Sequence, residues 1–333
     1  MKKLFSVLLA ASCMAASLTG CQSSSSDAGL TPVTLNEVAH SIFYAPQYAA
    51  IELGYFKEEG IDLTLVNGAG ADKVMTALIS GDADIGFMGS EASIYTYANG
   101  AEDYAVNFAQ LTQRAGNFLV GREPDADFTW TKLKGKKVLG GRAAGMPQMV
   151  FEYILKKNGI DPKTDLTIDQ SINFGLTAAA FTSDDSDYTV EFEPFATALE
   201  LEGNGYVVAS LGTDSGYVPY TAYCAKRSYI DSHPDIIQKF TNALQKGMDY
   251  VNSHTAEEIA KVIQPQFKET PLENIIAIVD RYQSQDTWKE DLIFEKDSFE
   301  LLQNILEEAG ELPQRVPYED LVTTDFAKTA AEN

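Results

Sequence analysis

Ile61-Asp62-Leu63-Thr64-Leu65-Val66 alternates apolar and polar side chains and lies between two helical stretches that each end on a glycine. Alternation with period two marks a strand. Upstream, Val33 to His40 reads as another strand. Pro46 then opens a helix through about Lys57, with Ala49, Ala50, Leu53 and Phe56 on one face. Proline suits the first helical turn, where its missing N–H has no intrahelical partner to lose, and Gly60 ends the helix. Downstream, the loop Gly68-Ala69-Gly70 leads into a helix with Val74, Met75, Leu78 and Ile79 facing inward. Gly81 closes that helix, Ala83 to Met88 is a third strand, and Ser90 stands at the cap position of the next helix. Strands and helices alternating in units this short predict an α/β fold, a parallel sheet with helices on its faces.

The alternation continues. Tyr104 to Gln110 and Phe118 to Gly121 read as strands. Arg122 to Thr131 is polar, carries Pro124, Glu123, Asp125 and Asp127, and reads as a crossing into a second unit. That unit has a strand at Val138 to Gly140, a glycine-rich loop to Gly145 and a helix from Met146 to Asn158. Strand–helix pairs follow at Leu166 to Phe181 and Tyr188 to Glu202, then a strand from Gly205 to Leu211. A loop at Ser215-Gly216 leads into a strand from Tyr220 to Ala225, a second crossing. The remainder is helical, with helices expected at 233–253, 255–266, 271–284 and 295–309. Ser232 with Asp235, Thr255 with Glu258 and Thr270 with Glu273 have capping-box spacing. The expected architecture is a discontinuous lobe, 32–122 with 222–333, and an inserted lobe, 123–221, joined by a two-crossing hinge. Open α/β sheets bind ligands beyond the carboxyl ends of their strands, and pockets favour domain interfaces, so the cleft between the lobes is the expected site.

The amino terminus is an export signal by layout: Lys2 and Lys3, an apolar run from Leu4 to about Ala16, then small residues. The run is too short to span a bilayer, which takes roughly 20 apolar residues. Leu18-Thr19-Gly20-Cys21 resembles the lipobox of bacterial lipoproteins, which implies a signal peptide at 1–20, a lipid on Cys21 and a flexible tether over 21–31. The chain has 333 residues and a formal charge of -23. An acidic body of this kind repels nucleic acid and anionic lipid. Of the 3 cysteines, Cys13 leaves with the signal and Cys21 takes the lipid. Cys224 is left without a disulfide partner and reads as a small core residue.

His40-Ser41-Ile42-Phe43-Tyr44-Ala45-Pro46-Gln47-Tyr48-Ala49-Ala50, Gly54-Tyr55-Phe56-Lys57-Glu58-Glu59-Gly60-Ile61-Asp62 and Ala77 to Phe87 resemble substrate-binding lipoproteins of ABC importers. The group is the NMT1-like one serving nitrate, sulfonates, taurine and thiamine-pyrimidine precursors. Lys134-Gly135-Lys136 and Phe192-Glu193-Pro194-Phe195 fall where that family has comparable motifs. The resemblance implies the type II periplasmic-binding-protein fold and a monomeric, extracytoplasmic protein anchored to the cell membrane. It also implies permease and ATPase subunits as partners and no cofactor.

Four loops are expected to face the cleft. In the first, Ser41, Phe43 and Tyr44 either stack on a flat ligand or pack as a loop. In the second, Gly70 precedes a helix start whose N–H groups suit an anion, without the Gly-Lys-Ser/Thr ending of a nucleotide loop. In the third, Ser90 is a cap whose hydroxyl could also meet a ligand, and Glu91 suits the helix dipole or accepts from a polar ligand. In the fourth, Arg142 is the best cation for a carboxylate, sulfonate or phosphate, unless solvent or an acid engages it. Asn173 and Glu193 end later strands of the inserted lobe, and Arg114 and Tyr220 lie near the crossings. His40 either touches the ligand or is structural.

Of the 3 histidines, no two have HExxH spacing, and there is no GxSxG elbow or paired-cysteine metal motif. The expected function is capture of a pyrimidine or thiamine-precursor-like heteroaromatic for an ABC importer. The alternative is a sulfonate, taurine or nitrate-like anion. A thiamine-pyrimidine synthase is the enzymatic alternative; that family's cysteine-rich motif is absent from this chain.

Overall fold

The computed structural model describes residues 29–172, 175–312 and 314–332; the signal, Cys21 and most of the tether lie outside them. The first part of the chain alternates as expected: β1 (Thr31–Glu37), a 3-10 turn at Ile42–Tyr44, α1 (Ala45–Glu52), α2 (Tyr55–Glu58), β2 (Ile61–Asn67), α3 (Ala71–Ser80), β3 (Ile85–Gly89), α4 (Glu91–Ala98) and β4 (Ala105–Thr112). A second run holds β5 (Asn117–Gly121), β6 (Lys137–Leu139), α5 (Met146–Lys157), β7 (Thr167–Asp169), α6 (Thr177–Ser183), β8 (Tyr188–Phe192), α7 (Phe195–Leu201), β9 (Tyr206–Ser210) and α8 (Leu211–Ser215). The third comprises β10 (Thr221–Lys226), α9 (Arg227–Ser232), α10 (Pro234–Ser253), α11 (Ala256–Ile263), α12 (Leu272–Ser284), α13 (Lys296–Ala309), α14 (Tyr318–Leu321) and α15 (Asp325–Ala331).

The strands form two 5-stranded sheets, in the orders β2-β1-β3-β10-β4 and β7-β6-β8-β5-β9. β1 runs parallel to β2 and β3, while β10 runs antiparallel to β3 and β4. In the second sheet β6 is parallel to β7 and β8, and β5 is antiparallel to β8 and β9. Both sheets are therefore mixed, and in each the antiparallel strand is the one the chain enters after changing sheets. β3, β4 and β5 are buried along their whole length, as expected of strands covered on both faces.

The chain leaves the first sheet at Thr112 and joins the second at Asn117. The crossing is thus at 113–116, ahead of the polar stretch Arg122 to Thr131 that was expected to carry it. That stretch instead ends in a 3-10 turn at Trp130–Leu133, with Trp130 and Leu133 buried against the second sheet's side of the molecule. The return runs through 216–220 into β10.

The helix expected from Pro46 to Lys57 breaks in two, because Gly54 takes a left-handed conformation (φ +81°) between α1 and α2. On α3, Val74, Met75 and Leu78 are buried but Ile79 is 46% exposed, so the apolar face is narrower than its sequence. Only one of the three capping boxes forms, with Thr255 and Glu258 bonding each other's backbone at the start of α11. Ser232 closes α9 by donating to the Ser228 carbonyl (2.7 Å), and α12 begins after Pro271 without a side-chain cap.

Candidate ligand-binding site

The loops at the carboxyl ends of β1, β3, β6 and β8 meet where the two sheets approach. Ser41 caps the 3-10 turn by accepting from the Phe43 N–H and donates its hydroxyl to the Glu193 carbonyl at 2.8 Å. A loop of the first sheet is thereby bonded to a loop of the second. Phe43 and Tyr44 are buried. The Phe43 ring packs on Tyr44, Phe192, Tyr220 and Tyr282, and Tyr44 packs edge-on against Phe87. Gly116 belongs to the same contact: a Cβ there would fall 2.5 Å from the Phe43 ring. Glycine at this crossing position is what lets the ring approach the backbone.

Ser90 occupies the cap position of α4 with a helical backbone and makes no capping bond. Its hydroxyl donates instead to the Pro219 carbonyl in the return crossing (2.8 Å). The next residue, Glu91, is 3% exposed, and its Oε2 has no hydrogen-bond partner. Burial pushes its carboxyl up to about 7, opposed by its own backbone N–H, the Arg142 charge and the Met146 backbone N–H. Arg142 and Met146 belong to the second part of the chain, so Glu91 reaches across the junction toward the start of α5. Arg142 itself is half-buried.

Two other buried side chains at the junction carry polar atoms without partners. The Tyr220 hydroxyl is one; the Asn117 amide, oxygen and nitrogen both, is the other. Asn117 pairs with Phe192 across β5 and β8, and the Tyr220 ring lies 6.3 Å from that of Phe192. Leaving buried polar groups unpaired costs roughly 1–3 kcal/mol each; Nε of the half-buried Arg114 at the first crossing lacks a partner too, as do side-chain oxygens of Asn36, Gln110 and Gln245.

Glu193 is buried, and its carboxylate is fully engaged. It accepts from the Thr197 N–H (2.9 Å), the Thr197 hydroxyl (3.0 Å) and Arg281 Nη1 (2.5 Å). Gly70 caps α3 at φ +146° without a side-chain bond, in a loop where Gly68 lies against Asn36. Asn173 lies outside the described residues. Burial also pushes the Glu191 carboxyl up to about 7, with the Thr189 and Thr177 hydroxyls bonded to it. Cys224 is buried and its thiol is pushed up to about 12 by burial.

His40 has a structural bonding pattern. Its Nδ1 faces Glu37 Oε1 (2.8 Å) and its Nε2 faces the Gln266 carbonyl (2.9 Å), while the ring stacks on Phe267. Arg114, near the first crossing, lies over the Tyr217 ring at 4.2 Å and donates to the Gly212 carbonyl. The sequence places Tyr220 only near a crossing and does not single out Asn117, Thr197 or Arg281. Nothing local distinguishes them, because their roles depend on which residues meet across the junction. Among the described residues, no group of three or more His, Cys, Asp or Glu could hold a metal ion, and no helix is long and apolar enough to cross a membrane.

Residues 42–258 match the NMT1/THI5-like family. The chain is 46% identical over 299 residues to a putative binding protein of Bacillus subtilis named YtlA, covering 90% of each chain. It is 25% identical over 227 residues to a 4-amino-5-hydroxymethyl-2-methylpyrimidine phosphate synthase of Saccharomyces cerevisiae, covering 63% of each. Among solved structures, the periplasmic nitrate-binding protein NrtA of Synechocystis PCC 6803 superposes with a TM-score of 0.73 at 17% identity, covering 91% of this chain and 89% of that one. With two mixed sheets bridged by two crossings, and a family match over most of its length, this chain belongs to the NMT1/THI5-like family and has the type II periplasmic-binding-protein fold.

Proposed function

We propose that this protein is the extracytoplasmic solute-binding component of an ABC importer. It is tethered to the membrane through a lipid on Cys21, works as a monomer and delivers its solute to permease and ATPase subunits. Its two lobes, one built on each sheet, close on the solute about the crossings at 113–116 and 216–220. The solute is a small, flat, amino-bearing heterocycle of the pyrimidine or thiamine-precursor kind. The observation that carries this ligand class is the set of unpartnered polar atoms on Glu91, Asn117 and Tyr220, beside the rings of Phe43, Tyr44 and Phe192. A carboxylate oxygen and an amide oxygen ask for donors; the amide nitrogen asks for an acceptor. An aminopyrimidine edge offers both, and the surrounding rings suit a flat ligand.

An anion such as a sulfonate or nitrate fits less well, because Arg142 already has the Glu91 carboxylate in its field. Substitution of Arg142 by Ala separates the two: a heterocycle loses affinity mildly, and an anion loses it by 100-fold or so, on the order of the 2–5 kcal/mol that loss of a buried charge partner costs. The direct experiment is mass analysis of small molecules released from purified protein, followed by a thermal-shift panel of pyrimidines, flavins, sulfonates and nitrate. Stabilisation by an aminopyrimidine is expected. Stabilisation by the anions alone overturns the ligand class, and turnover of any panel member overturns the binding function in favour of a synthase like the yeast relative.

A further inference from the structure

Glu193 is held from two sides by the part of the chain that carries the first sheet. Ser41, just before the 3-10 turn, bonds its carbonyl at 2.8 Å. Arg281, on α12, bonds its carboxylate through Nη1 at 2.5 Å. The same guanidinium reaches Glu200 through Nη2 at 2.9 Å. Glu193 precedes α7 and Glu200 lies in its last turn, so one arginine grips both ends of a short helix of the second part of the chain. The planar fork of arginine is suited to two acceptors held in fixed positions. Thr197 supplies the other two bonds to the Glu193 carboxylate, which leaves that group committed to the protein.

These contacts join groups on opposite sides of the junction and cannot survive its opening. A rigid-body separation strips Glu193 of Ser41 and Arg281 together. An interaction made in one of two states shifts the population toward that state. We propose that Ser41 and Arg281 are affinity-setting residues that act through Glu193, latching α7 to the first-sheet lobe and holding the closed form. They touch no solute in this role. The latch rests on the reading of two lobes that open and close. A protein whose closed form is more populated binds its solute more tightly by the same factor.

The test reads the lobes directly and needs no solute. Spin labels on Ile79→Cys and Lys163→Cys, both exposed and one on each part of the chain, report the separation of the lobes in the stripped mature protein. The buried Cys224 is expected to stay unlabelled. In Arg281→Gln the ratio of short to long distances is expected to fall about 30-fold or more, the low end of what losing a buried charge partner does. Glu200→Gln, which removes one arm, should give a smaller fall. The swap Arg281→Glu with Glu200→Arg should fail to restore the short population, because it sets a second carboxylate against that of Glu193, whereas Arg281→Lys should restore part of it. An unchanged distribution in folded Arg281→Gln and Glu200→Gln overturns the latch, as does a shift that Arg281→Lys does not lessen. If the wild type shows one rigid distance under all conditions, including with 4-amino-5-hydroxymethyl-2-methylpyrimidine and with taurine as probes, the two-lobe capture reading fails instead.

Discussion

Glu91 combines a stability cost with a ligand-facing chance in one side chain. Its folded carboxyl is raised from 4.5 to about 7, chiefly by burial. The folded state therefore holds this proton more tightly than the unfolded state, and the group's contribution to stability falls as pH climbs from 4.5 toward 7. Glu91→Gln removes that loss. The variant should be more stable than the wild type at pH 8 by about 1–3 kcal/mol, seen as a higher unfolding temperature, with the advantage gone by pH 4. Solute recovered with the variant should nonetheless drop sharply; undiminished recovery would remove Glu91 from the site. His40 behaves in the opposite sense. Its ring nitrogens face Glu37 and the Gln266 carbonyl, with the Tyr48 hydroxyl also 3.1 Å from Nδ1, an arrangement that favours the protonated ring. Its pKa is raised, mainly by the Glu37 hydrogen bond. The stability it supplies is complete below the unfolded value of about 6.5 and is lost as pH rises through the higher folded value. The difference in melting temperature between wild type and His40→Gln should shrink from pH 6 to pH 9, and a constant difference would mean that the ring is neutral. Ser41, Ser90 and Glu91 were legible as loop and first-turn residues, because strand ends are legible. That the Asn117 and Tyr220 polar atoms lack partners was not, since a missing partner is a property of the packed junction alone.

At the scale of elements, glycines decide what the apolar pattern leaves open. The face made by Ala49, Ala50, Leu53 and Phe56 looks continuous, yet the left-handed Gly54 splits it into α1 and α2. The pattern could not show this, because a glycine inside a helical period is compatible with either a helix or its end. The four long C-terminal helices, by contrast, fall within a few residues of their expected bounds, since each repeats its apolar face over several turns. Gly247 shows a tighter constraint. It lies inside α10, where a Cβ would stand 2.3 Å from the Pro46 carbonyl oxygen and 2.9 Å from the Ala50 Cβ of α1. Alanine is the better helix former by about 1 kcal/mol, so on propensity Gly247→Ala would stabilise. The clash with α1 backbone predicts the reverse, a net loss of about 1–3 kcal/mol from overpacking. Urea unfolding of the variant measures the sign, and a higher midpoint would show that α1 and α10 can separate freely.

At the scale of the molecule, the two-sheet plan was legible because each α/β unit announces itself by alternation, but the point where the chain changes sheets was not. Arg122 to Thr131 looks like a linker in composition. The actual crossing at 113–116 is short and joins two buried strands, β4 and β5. Composition marks exposure, and a crossing between packed sheets need not be exposed. The consequence is mechanical. Two short crossings, at 113–116 and 216–220, sit beside each other through Arg114 over the Tyr217 ring and the Val218 N–H donating to the Gln113 carbonyl at 2.9 Å. Motion about them is confined to a hinge rather than a free linker. A compact chain of this length has a radius of gyration of about 20 Å. Scattering from the stripped mature protein should give a value above that, falling on addition of the solute identified by mass analysis, because contacts on both sides of the junction exist only in the closed form. The fall should be abolished by replacing Gly116 with a bulky residue, which would drive the Phe43 ring out of the crossing. A radius that does not change with solute in the wild type would mean that the junction is a fixed interface and that the solute enters without lobe movement.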